Sequence, residues 1–126
     1  MNVDEYKKLN RNVSKYRNQK TVWTGQFRGR DQLITFDSKK EQYRFNELLI
    51  MQKVGQISDL ILQERFPIID QSNDERGTVY VADFVYRNRK TDEWIVEDVK
   101  GKKTDVYKLK KKLFKLKYPT LTFLET

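Results

Sequence analysis

The chain has 126 residues, 37% of them apolar, 35% charged and 13% aromatic: enough for one modest core under a heavily solvated surface, and too aromatic for a disordered chain. It contains neither Cys nor His, which excludes disulfides, zinc fingers, thiol chemistry, Ser-His-Asp and Cys-His hydrolases and His-metal nucleases. The net charge of +8 is concentrated, with six Lys/Arg against two acids in residues 1–20 and eight Lys against one acid in 101–117, the pattern of a polyanion binder with a slightly acidic body.

Residues 1–20 are polar, with Val3, Tyr6, Leu9, Val13 and Tyr16 at helical spacing on a thin stripe. They read equally as a helix and as a basic arm that orders on a partner, ahead of a single domain over 21–126. Residues 21–36 read as a β-hairpin, Thr21-Val22-Trp23-Thr24 and Leu33-Ile34-Thr35-Phe36 around a polar turn containing Gly29-Arg30-Asp31. Ser38-Lys39-Lys40-Glu41 is a capping-box pattern, opening a helix that runs to about Val54 with Gly55 just past its end. Leu60 to Ile69 is strand-like, and Pro67 there marks an edge or a bulge. A loop over Gln71–Gly77 leads to a strand over Thr78–Tyr86, a turn over Arg87–Asp92 and a strand over Glu93–Lys100. A second helix, Asp105–Lys117, closes at Tyr118-Pro119, and Thr120–Leu124 is the last strand. The order is a hairpin followed by α-β-β-β-α-β, an α/β chain with a mixed sheet and a right-handed crossover.

Two of these strands carry candidate chemistry. Trp94, Val96, Asp98 and Lys100 share one strand face, and Val79, Val81, Asp83 and Val85 align on the preceding strand. Each apolar face is thus interrupted by one carboxylate, and burying an unpaired carboxylate is costly enough to signal a metal, a Lys partner or a site. Two carboxylates with a peptide carbonyl and waters form a hard oxygen shell suited to Mg²⁺. A surface Asp98–Lys100 pair at a fraying strand end explains the same spacing without a site, and Gly101 serves an ordinary strand-to-helix turn equally well.

The helices are read in the same way. Glu41 caps its helix in one reading, and it also lines up with Phe45, Leu48 and Leu49; Glu47 lines up instead with Tyr43, Ile50 and Val54. Periodicity does not choose between the two acids. On the last helix Val106, Leu109, Leu113 and Leu116 form the expected core stripe, with Lys108, Lys111, Lys112 and Lys115 opposite it. Those lysines make either a solvated face or a phosphate surface. Lys110 falls between, placed either to snorkel or to reach the carboxylates. Trp23, Phe27, Tyr80, Tyr86 and Trp94 are core or sheet surface by default, with base stacking as an alternative for Trp23 and Phe27.

Asp83, Asp98-Val99-Lys100 and an acid on the first helix, in an α-β-β-β-α-β order, resemble the PD-(D/E)xK nuclease superfamily. Ala82 stands where the superfamily name has Pro. More narrowly, Lys15-Tyr16-Arg17-Asn18, Phe36-Asp37-Ser38-Lys39-Lys40-Glu41, Ile57-Ser58-Asp59-Leu60 and Glu97 through Gly101, with Thr104 through Lys110, resemble a family of small phage and prophage nuclease-like proteins. The resemblance favours Glu41 as the helix acid. It implies a restriction-endonuclease-like core and a Mg²⁺-dependent DNA endonuclease, Mn²⁺ substituting, with Glu41, Asp83, Asp98 and Lys100 catalytic. Asp83, Asp98, the Val99 carbonyl and Glu41 would hold the metal. Lys15, Arg17, Lys20, Lys102, Lys103, Lys108, Lys110, Lys111, Lys112 and Lys115 would hold DNA. It further implies branched, junction or flap DNA as substrate, Holliday-junction resolution or recombination as setting, and a homodimer where two strands are cut symmetrically. With no apolar run of membrane-spanning length and no signal-peptide core, the expected location is the cytoplasm of a bacterial host. The alternative is a non-catalytic nucleic-acid-binding protein on a nuclease fold.

Overall fold

The computed structural model describes residues 20–99 and 103–126, in two compact units that divide between Asn46 and Glu47. In the first unit, β1 (Thr21–Phe27) and β2 (Arg30–Phe36) pair antiparallel with Thr21 opposite Phe36. Alternation decides the faces: Trp23, Phe27, Ile34 and Phe36 point inward, while Val22 and Leu33 are exposed. The turn is Arg28-Gly29, one step earlier than the sequence suggests. Both residues are left-handed (φ 55° and 77°), as a two-residue turn matched to strand twist requires. A Cβ on Gly25 would lie 2.9 Å from the Trp23 ring, so glycine makes room for the indole across the strand.

Helix α1 (Lys39–Lys53) begins as its cap predicts: Ser38 Oγ accepts the Glu41 N–H at 3.1 Å. Its buried stripe contains Glu41, Phe45 and Leu48, whereas Tyr43, Glu47 and Ile50 are exposed. The Phe45 ring meets Trp23, Phe27 and Phe36 at 5.0, 5.3 and 5.1 Å. The helix stops at a Schellman motif, where the Gln56 N–H bonds the Met51 carbonyl (2.9 Å) and the Gly55 N–H that of Gln52 (3.2 Å). Gly55, at φ 84°, is the residue that permits it.

The second unit is built on a four-stranded sheet in the order β3 (Ile57–Leu62), β6 (Phe84–Asn88), β7 (Trp94–Asp98), β8 (Thr122–Glu125). β3, β6 and β7 run antiparallel, and β8 lies parallel to β7 after helix α2 (Asp105–Lys117). The protein is therefore mixed α/β with a mixed sheet. Two expected strands are each divided. Leu60–Ile69 is β3 and β4 (Arg65–Ile69), and Thr78–Tyr86 is β5 (Thr78–Val81) and β6, with β4 and β5 in a sheet of their own. The breaks face each other: Gln63, left-handed at φ 55°, donates to the Asp83 carbonyl (3.2 Å), and Ala82 donates to that of Glu64 (2.9 Å). Two paired strands bend at one level, so hydrogen bonding continues through the corner. The bend also changes the period. Tyr80, Ala82 and Val85 share the core, so Asp83 sits at the corner rather than on the Val79, Val81 and Val85 face expected for it. Pro67 adjoins a register shift in β4, as its missing N–H favours.

Helix α2 corrects a second expectation. Val106, Leu109 and Leu116 are 65%, 58% and 74% exposed and Leu113 is half-buried, while Tyr107 and Phe114 are buried against Ile68, Tyr80, Ala82, Val85 and Val96. Aromatic packing chose this face: Phe114 lies 5.1–5.8 Å from the rings of Phe66, Tyr80, Tyr118 and Phe123. Thr104 caps the helix, its Oγ1 accepting the Tyr107 N–H at 3.1 Å. No described helix is long and apolar enough to cross a membrane.

Candidate functional site

The corner between β5 and β6 brings one carboxylate to the end of β7. Asp83 Oδ2 accepts the Val99 N–H at 2.8 Å, the amide that immediately follows Asp98. Asp98 is fully buried on the α2 side of β7, and its Oδ2 accepts a hydrogen bond from the Tyr80 hydroxyl. Burial first, and then the Asp98 carboxylate, push the Tyr80 hydroxyl far above its ordinary range, so it remains a proton donor to that acid. Asp98 and Val99 thus hold the two acids together, one by its own side chain and one by its neighbour's amide.

The next strand adds a third acid that the sequence did not single out. Glu125 pairs with Asp98 across β7 and β8. Its Oε1 accepts from the Tyr107 hydroxyl (2.7 Å) and Lys111 Nζ (2.6 Å), and its Oε2 meets Lys103 Nζ at 2.8 Å. Hydrogen bonds from Lys103, Lys111 and Tyr107 hold the Glu125 carboxyl down at about 2. Tyr107 is pushed up, by burial and then by its bond to Glu125, with the charges of Asp98 and Asp83 acting in the same direction. Beside Glu125 lies an open groove of about 400 Å³ lined by Lys103, Lys108, Lys111, Lys112 and Lys115. Lys111 and Lys115 also stand 5.3 and 5.5 Å over the Phe123 ring, which orients their ammonium groups without neutralising them. Five lysines against one carboxylate give the groove an excess of positive charge.

The structure therefore brings Asp83 to Asp98 and Val99, and it gathers Lys103, Lys108, Lys111, Lys112 and Lys115 into one groove. Lys110 is separate: its Nζ reaches the Val79 carbonyl at 3.3 Å, satisfying backbone where the sequence offered snorkelling or a carboxylate. Of the two acids on α1, Glu41 is buried in the first unit and Glu47 is exposed. Trp23 and Phe27 are spent on the Phe45 cluster, and Lys20 is exposed. Lys15, Arg17, Lys100, Gly101 and Lys102 lie outside the described residues.

Among the described residues no group of three or more His, Cys, Asp or Glu is arranged to hold a metal. The Asp83–Asp98 pair nevertheless has the right chemistry for a shared one. Mg²⁺ keeps most of its shell as water and phosphate oxygen, and one or two carboxylates suffice to hold it. The residues that sequence reasoning missed are Tyr80, Tyr107, Glu125 and Glu97. Glu97 is fully buried on the other face of β7, accepting from the Tyr86 hydroxyl (2.6 Å) and Thr126 Oγ1 (3.0 Å). The available signal was tyrosines on apolar strand and helix positions, since a buried phenol needs an acceptor.

Residues 13–125 match a protein family described as "protein of unknown function (DUF1064)". No curated protein and no solved structure matches the chain.

Proposed function

The chain belongs to the DUF1064 family, and for it we propose a metal-dependent DNA endonuclease of the PD-(D/E)xK type, selective for branched, junction or flap DNA. One observation carries the reading: the Asp83 carboxylate is bound to the Val99 amide, beside the buried Asp98 and one residue before Lys100. The strand order supports it too, three antiparallel strands followed through α2 by a parallel fourth.

Asp83 and Asp98 would hold Mg²⁺, or Mn²⁺ in its place, with the Val99 carbonyl as a further donor carried over from the resemblance. Held there, the metal would supply Lewis-acid polarisation of the scissile phosphate and a lowered pKa for the attacking water. The chain's own residues do the positioning. The Val99 N–H fixes Asp83, and the Tyr80 hydroxyl fixes the rotamer of Asp98, so neither acid must reorganise when substrate arrives. Lys100, by the resemblance, orients the attacking water and offsets charge on the phosphate. The lysines of the Glu125 groove hold flanking backbone. If all five neutralise phosphates, log affinity falls against log salt with a slope of about −4.5. Symmetric cutting of a junction requires two copies.

A second reading, a binder without catalysis, rests on the lysine groove alone. The test compares the chain with Asp98→Asn and Lys100→Ala on linear, single-stranded, flap and four-way-junction DNA, with Mg²⁺, Mn²⁺ or EDTA. Metal-dependent cutting that both variants lose is the expected outcome. Tight salt-sensitive binding with no cutting in any metal replaces the nuclease with the binder.

A further inference from the structure

We propose that the outer face of α2 docks an acidic amphipathic helix of another protein. Val106, Leu109, Leu113 and Leu116 recur at spacings of three, four and three, the a/d seam of a two-helix contact. Three of the four are more than half exposed. Of the four, the core takes only Leu113, which packs at its edge, while Tyr107 and Phe114 anchor the helix from its other side and leave Val106, Leu109 and Leu116 outside. The seam is a contiguous apolar strip left over by the fold, and such strips mark interaction sites.

Charge selects the occupant. Successive residues turn by 100°, which sets Lys108 and Lys112 along one border of the seam and Lys110 and Lys117 along the other. Asp105 is the helix's one acid against six lysines. A second copy of this chain would set lysine borders against lysine borders in either helix orientation, and like charges at flanking positions reject a pairing. Residues 1–20, with six Lys/Arg against two acids, meet the same objection. Glutamates and aspartates flanking a leucine seam do not. One border lysine already takes a carboxylate in the fold: Lys117 pairs with the exposed Asp70. The four apolar seam residues take no part in the proposed nuclease site, whereas Lys108 and Lys112 border both the seam and the lysine groove, so DNA and an acidic helix would compete for those two cations.

The test uses the full chain and a labelled synthetic peptide of about three heptads with Leu at a and d and Glu at e and g, followed by fluorescence anisotropy. A matching peptide with Lys at e and g is the control. The Glu peptide binds and the Lys peptide does not; Leu109→Ser with Leu116→Ser weakens binding at least about tenfold, and about 0.5 M salt weakens it severalfold. The melting temperature of the double variant stays that of the parent. Binding of both peptides, or of neither, overturns the proposal. So does a parent dimer in sedimentation that the double variant dissolves, which assigns the seam to a second copy. Partition onto phosphatidylglycerol vesicles that the double variant loses assigns it to a membrane. A melting temperature lowered by several degrees shows that the chain covers the seam itself.

Discussion

Glu97 and Asp98 are adjacent on β7, both fully buried, both hydrogen-bonded to a tyrosine, and they lie on opposite sides of the sheet. Their surroundings differ. Glu97 accepts hydrogen bonds from the Tyr86 and Thr126 hydroxyls, donors that hold a carboxylate in place. Asp98 has Tyr80 as donor, but Asp83 converges on the very next amide and Glu125 sits across from it on β8 with its lysines. Hydroxyl donors that hold a buried acid in place serve the fold. Acids gathered at one strand end, next to cations, create a field that a bound cation or phosphate would relieve.

The comparison is easiest to break where the effect is largest. Asp98→Ala is expected to lower single-turnover cleavage in Mg²⁺ at least about a thousandfold, about 4 kcal/mol of transition-state stabilisation. Glu97→Ala should act on stability instead, costing about 2–4 kcal/mol in denaturant melts through a cavity and two stranded hydroxyls. Its activity per folded molecule should be unchanged; a Glu97 variant that is stable but inactive would falsify the division of roles.

The tyrosines sharpen the contrast. Tyr80→Phe and Tyr86→Phe each remove one buried hydrogen bond, at about 1–3 kcal/mol of stability. Only Tyr80→Phe should also raise the Mg²⁺ concentration needed for half-maximal cleavage, by about tenfold, because it alone orients a proposed metal ligand. Equal metal dependence in the two variants removes Tyr80 from the site.

The smallest effect belongs to Glu125. Its folded pKa, about 2, lies below its ordinary 4.5, so its contribution is fully present above about pH 4.5 and is lost as pH falls toward 2. Its cations are partly exposed, and screening limits the contribution to about 1 kcal/mol. Parent and Glu125→Gln should therefore differ in melting temperature at pH 7 and converge near pH 2. A gap that persists at low pH assigns Glu125 to packing instead.

Local signals were legible where the chemistry is local. The Ser38 cap, the Gly55 stop, the hairpin and the disturbance at Pro67 all follow from one residue and its neighbours within a turn. The long strands were misread because a bend shared by two paired strands leaves no mark in either alone. Gln63-Glu64 and Ala82-Asp83 break only because they face each other. The α2 stripe holds only at Leu113, which packs on the core, because Val106, Leu109 and Leu116 repeat as regularly as core residues do without being buried. Which side of an amphipathic helix is buried depends on the aromatic surface waiting for it, here Phe66, Tyr80 and Phe123.

By itself the sequence determined the element types, most of their ends, the absence of thiol and imidazole chemistry, and the basic character of α2, since each depends on residue identity and near-neighbour spacing. Tertiary structure alone decided that Asp83 meets the Val99 amide, that Tyr80 serves Asp98 while Tyr86 serves Glu97, and that Glu125 anchors the lysine groove. The first three contacts join residues 16, 18 and 11 apart in the chain, and Glu125 meets Lys111 across 14. Hydrogen bonds over such separations are set by strand pairing and by the bend at Asp83, which no local pattern encodes.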